Sequence, residues 1–134
     1  MSTDTAKYGL FRELPDVPFE TAKERVTEEL SKQGFGILTE IDVKETLKKK
    51  IDVDFPSYMI LGACNPHLAH MGLMKEPALG LLLPCNVVVA EGEQGGSIIS
   101  VMDPYAMVKM TENFDLEDLA NEAREKLKRA IAAV

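Results

Sequence analysis

The chain has 134 residues, 46% of them hydrophobic, which suits one globular domain with a single core. Its formal net charge is −7, with 15 Lys and Arg against 22 Asp and Glu. It therefore lacks the basic stripe that phosphate backbones require, and a general nucleic-acid role is excluded. No apolar run approaches the roughly 20 residues of a membrane span, so no membrane partner is expected.

The start, Met1 to Lys7, is polar and has no apolar core of the signal-peptide kind. Two cysteines do not make a disulfide framework. The expected compartment is the cytoplasm, with both thiols reduced.

Along the chain, Lys7 to Leu14 reads as a first strand, ended by Leu14-Pro15-Asp16-Val17-Pro18. Pro18 suits the opening turn of a helix. Phe19, Ala22, Val26 and Leu30 then recur at helical spacing, and Gly34 supplies the stop. Phe35 to Ile41 reads as a strand. Asp42 and Glu45 form a D-x-x-E capping box, which predicts a short helix from Val43 to about Lys50. Lys48, Lys49 and Lys50 complement the negative end of that helix.

Tyr58 to Cys64 is an apolar run and a predicted strand. Asn65 followed by Pro66 predicts a helix start, the amide capping and the proline taking the first helical position. That helix carries His67, His70, Met71 and Met74 and ends before Pro77. Gly80 to Ala90 is the most apolar segment, and Pro84, which cannot donate to a ladder, places the strand proper at Cys85 to Ala90. Gln94-Gly95-Gly96 turns the chain into a returning strand, Ser97 to Met102.

Asp103-Pro104 then begins one helical turn through Met107. The last helix, over about 115–133, is read with Asp115 as its cap and Phe114 stapled onto Leu119. The order β-α-β-α-β-α-β-β-α argues an α+β fold in two layers, a largely antiparallel sheet covered by helices.

The strings GFGILTEIDVKETLKKK, YMILGACNPHLAH and GLLLPCNVVV resemble the family designated domain of unknown function 302, DUF302. The likeness runs from about Tyr8 to Met110 and carries over Gly62, Cys64, Asn65, Pro66, Pro84, Cys85 and Asn86. It implies a small domain likened to the TATA-binding-protein fold, β-α-β(n)-α, and a homodimer. The family name implies no activity and no cofactor.

Two settings nearly match: Ala63-Cys64-Asn65-Pro66 and Pro84-Cys85-Asn86-Val87. If their strands are antiparallel neighbours, the two thiols lie at one end of the sheet. Cys64 also directly precedes a helix N-terminus, where the dipole and free N–H groups favour a thiolate. The plain alternative is that both cysteines fill space at strand ends. His67 and His70 sit one turn apart on one helix face, with Met71 and Met74 near them.

Cys64, Cys85, His67 and His70 would together suit a soft ion such as Cu(I), although no C-x-x-C zinc pattern is present. Asn65 is accounted for as a cap. Asn86 opens an apolar strand and wants a partner, so Asn65, Asn86 and Gly62 are candidate ligand contacts. No P-loop, G-x-G-x-x-G, H-E-x-x-H or nucleophile-elbow serine occurs.

Three functions stay open. One is a homodimeric module binding a small molecule or soft metal near the Cys-Asn pairs. Another is a thiol redox or sulfur-transfer enzyme, with Cys64 as nucleophile, Cys85 as resolving thiol and His67 as base. The third is a structural protein with inert cysteines.

Overall fold

The computed structural model describes residues 7–134. The polar start read at Met1 to Lys7 therefore lies, Lys7 apart, outside the described residues. Five strands form one sheet: β1 (Gly9–Leu14), β2 (Gly36–Asp42), β3 (Tyr58–Cys64), β4 (Cys85–Glu91) and β5 (Ser97–Met102). Their spatial order is β1-β5-β4-β3-β2, and every neighbouring pair is antiparallel. The helices are α1 (Phe19–Lys32), α2 (Val43–Ile51), α3 (Pro66–Lys75), α4 (Tyr105–Thr111) and α5 (Glu117–Ala132). The fold is α+β, as the order of elements led us to expect.

Alternation along the strands divides the sheet into two faces. Leu61 and Ala63, Val87 and Val89, Ile99 and Val101 are buried on one of them. Against these pack Ala22, Val26 and Leu30 of α1 and Ala123, Leu127, Ala130 and Ile131 of α5. Each large aliphatic side chain so buried contributes roughly 1.5–3 kcal/mol. The Arg12 guanidinium closes this layer by donating to the carbonyls of Ile131 (2.6 Å) and Ala132, at the C-terminal end of α5. A cation there also meets the negative end of the helix dipole.

The other face has no comparable layer. In register across all five strands it presents Phe11, Ser100, Val88, Ile60 and Ile41. Only α2 stands near its β2–β3 edge, and no residue of α2 is buried.

The two start caps formed as read, although the Glu45 carboxylate of the capping box pairs with Lys49 at 2.6 Å. Asp42 accepts from the Glu45 N–H at 2.9 Å, and Asn65 accepts from the Leu68 N–H at 3.2 Å. Gly34 takes φ +85°, a value that a side chain resists, to end α1.

Three readings need correction. Asp103-Pro104 opens a seven-residue helix, α4, rather than one turn. Asp115 does not cap the last helix: it lies inside a 3₁₀ turn, Phe114–Leu116, and α5 begins at Glu117. Asn113 takes the capping role, accepting from the Asp115 N–H at 3.0 Å. The Asn113 amide also donates to the Lys75 carbonyl (3.1 Å) and the Glu76 carboxylate (2.9 Å), a tertiary anchorage that selects it over Asp115. Phe114 is 72% exposed and staples nothing.

Candidate functional site

The site begins where β3 ends. Asn65 holds the first turn of α3 through its side-chain oxygen and sends its amide toward the Gln33 carbonyl at 3.5 Å. Both ends of its side chain are thereby engaged, and it is nine-tenths buried. Capping by Asn65 fixes the direction in which the chain leaves Cys64. On the neighbouring strand, Cys85 faces Ala63 across the β3–β4 ladder. The antiparallel pairing thus brings both cysteines to the same end of the sheet, and both are free thiols.

Their environments differ. Cys64 is half-buried, whereas Cys85 is 6% exposed. Burial pushes the Cys85 thiol up to about 11, and a charge on neighbouring Cys64 pushes in the same direction. An apolar setting disfavours the thiolate because the anion loses hydration that nothing replaces. Cys85 is therefore held as a thiol at neutral pH.

Both cysteines line a cavity of about 50 Å³. Its floor is the sheet end, with Phe35, Ala63, Cys64 and Cys85, and one side is α3, with Leu68 and Ala69. The segment before β4 adds Leu79, Leu83 and Pro84. The far wall comes from the C-terminal third, through Pro104, Met107, Leu116, Leu119, Ala120 and Ala123. Almost every lining atom is apolar, and the one lining amide, Asn65, is already committed. Small side chains at Ala63, Ala69, Ala120 and Ala123 leave space that larger ones would fill.

The remaining candidates lie elsewhere. Gly62 is buried in β3 but does not line the cavity. Asn86 is exposed on the open sheet face, where solvent meets its amide. His67 and His70 are exposed on the outer side of α3 with Met71 and Met74. Among the described residues no three His, Cys, Asp or Glu side chains come together as a metal set.

The C-terminal wall was absent from the sequence reading. Its one available signal was the pair of alanines, Ala120 and Ala123, on the apolar stripe of the last helix. A recess of about 470 Å³ also lies at the opposite end of the sheet, rimmed by Glu13, Glu91 and Glu93. It is polar and open, and nothing in it converges on a ligand.

Comparison with known proteins agrees with this architecture. The profile of the family described as "Domain of unknown function DUF302" matches residues 12–134. Among solved structures, the chain is similar to an uncharacterized conserved DUF302 protein from Bacillus stearothermophilus. That similarity has 29% identity and a TM-score of 0.87, covering 96% of this chain and 98% of the other. No curated protein matches. Among the described residues, no helix is long and apolar enough to cross a membrane.

Proposed function

The chain belongs to the DUF302 family, and from that premise we propose that it is a binding module for a small uncharged ligand. The site is the apolar cavity bordered by Cys64 and Cys85. The family defines no reaction, so the reading rests on the site itself. One observation carries it: an apolar void lined by Cys64, Asn65 and Cys85, with four alanines in its lining.

Protein interiors close such space when nothing requires it. At 10–15 Å³ per water-sized occupant, about 50 Å³ admits roughly three to five. That is room for a short alkyl group or the apolar tip of a larger molecule.

A charged ligand would find no partner there, and burial of an unpaired charge is costly. The soft-metal form of the reading has two sulfurs and the nearby Met107 thioether. It has no third Cys, His, Asp or Glu donor among the described residues. An organic ligand suits the lining better.

Xenon and short alkyl alcohols are suitable probes, since dry apolar cavities take up such atoms and molecules. The methyl resonances of Ala63, Leu68 and Ala123 are expected to shift on titration, and Ala120→Leu is expected to abolish the shifts. Unmoved methyls, or equal shifts in Ala120→Leu, would remove the reading.

A second reading concerns assembly, and the open sheet face favours it. Phe11, Val88, Ile60 and Ile41 form a largely apolar row across the sheet, interrupted at β5 by Ser100, with Ile41 48% exposed at its β2 end. Such a row is self-complementary about a two-fold axis. We therefore propose a homodimer through this face. Sedimentation is expected to give twice the 14.8 kDa chain mass, and Ile41→Asp to give the single mass. A monomeric wild-type protein would refute it.

A further inference from the structure

The four most exposed large apolar side chains belong to one region of the fold: Leu81 at 87%, Met74 at 74%, Phe114 at 72% and Met110 at 71%. Met71, 48% exposed, lies one turn before Met74 on the outer face of α3. Hydrogen bonds fasten the parts together. Asn113 donates to the Lys75 carbonyl and the Glu76 carboxylate, and the Lys75 ammonium donates to the Asp115 carbonyl at 3.1 Å.

These bonds pin the C-terminal end of α3 to the turn that carries Phe114, three residues beyond the end of α4. Beneath them, Leu79, Val108, Leu116 and Ala120 make a second small core. The apolar side chains are thus displayed from a fixed base. Single exposed apolar residues are ordinary, but several gathered on one rigid support mark an interaction surface.

The charges around it are mostly negative. Glu112, Asp115, Glu117 and Asp118 are exposed and take part in no salt bridge among the described residues. The two local lysines are engaged, Lys75 on the Asp115 carbonyl and Lys109 over the Tyr105 ring at 5.6 Å. The region therefore offers apolar contact inside a rim of net negative charge, four exposed carboxylates against two lysines held by their own neighbours. All of its elements are helical or 3₁₀, so it has no strand edge for a peptide to extend. Methionine adds adaptability, because its unbranched thioether side chain repacks around different shapes.

We infer that this face is a docking surface for a basic amphipathic helix of another protein. The apolar stripe of that helix would lie on Met74, Met110 and Phe114. Its Lys or Arg side chains would meet Glu112, Asp115, Glu117 and Asp118. The inference does not depend on the cavity: it concerns exposed side chains and a macromolecular partner.

The test uses a synthetic helix of roughly 20 residues with leucines on one face and lysines on the other, beside a twin with glutamate for lysine. Methionine methyl spectra of the full chain report binding residue by residue. The basic peptide is expected to shift Met71, Met74 and Met110, to bind at least about tenfold more tightly than the acidic twin, and to weaken as salt rises. The double variant Met74→Asp, Phe114→Asp, confined to exposed positions, is expected to weaken it about tenfold or more.

Equal binding of both peptides, or binding untouched by the double variant, would overturn the proposal. Methyl shifts that grow with protein concentration alone would also overturn it, assigning the face to a second copy of the chain.

Discussion

Gly62→Val is expected to destabilise the protein by about 3 kcal/mol, near the upper end for overpacking a tight interior. Gly62 lies on β3 opposite Asn86 of β4 and Thr39 of β2. A Cβ built there would overlap the Thr39 hydroxyl and approach the Pro84 ring to 2.8 Å. The threonine is on an edge strand and exposed, so it can rotate away at modest cost. The proline ring is closed and cannot.

Alanine should therefore cost less than valine, whose two further carbons have nowhere to go. Urea unfolding measures both. With a slope of 1–3 kcal/mol per molar, the valine variant should lose roughly 1–3 M in midpoint. Thr39→Ala should restore part of the Gly62→Ala loss and little of the valine loss. A valine variant within about 0.5 kcal/mol of wild type would sink this account. Clearance for Thr39 and Pro84 then suffices to explain the glycine, and no ligand contact is needed for it.

Gly62 also shows where the sequence was legible. The strand Tyr58–Cys64, the cap at Asn65 and the end of α1 at Gly34 follow from signals a few residues long: an apolar run, an Asn-Pro step, a glycine stop. Each is decided by nearby backbone groups, and the structure repeats them. The clash that makes Gly62 a glycine is decided by Thr39 and Pro84, 23 and 22 residues away, and no local pattern contains it.

The cavity is legible only in its first half for the same reason. The Cys64 and Cys85 ends meet because β3 pairs β4 antiparallel, the condition on which the sequence reading had made their approach depend. Met107, Leu116 and Ala120 reach the same space only through the packing of α4 and α5. Asp115 failed as a cap on similar grounds. Its local pattern was adequate, but Lys75 and Glu76 recruit Asn113 from across the fold.

The strongest pH effect should come from Cys85. Its thiol is raised from 9.0 to about 11, chiefly by burial and secondarily by Cys64. The unfolded chain gives up this proton near pH 9, while the folded chain keeps it until about pH 11. Across that window the native state binds more protons, so stability falls as pH rises. It is unaffected below pH 9 and reduced by roughly 2–3 kcal/mol above pH 11, at about 1.4 kcal/mol per pKa unit.

Lysines and tyrosines titrate in the same range, so the readout is a difference: wild type minus Cys85→Ala, by urea unfolding at several pH values. The gap between the two should narrow by that amount between pH 9 and 11. A constant gap would mean that Cys85 is not held as a buried thiol. Iodoacetamide offers an independent reading at pH 8, with Cys64 expected to alkylate and Cys85 to stay intact in the folded chain.

The consequence reaches the enzymatic alternative. Attack on a disulfide or acyl group needs a thiolate. With a value near 11, Cys85 supplies about one thiolate in ten thousand at pH 7. Such a group suits the wall of an apolar cavity, and a resolving thiol in the same place would first have to be drawn out of it.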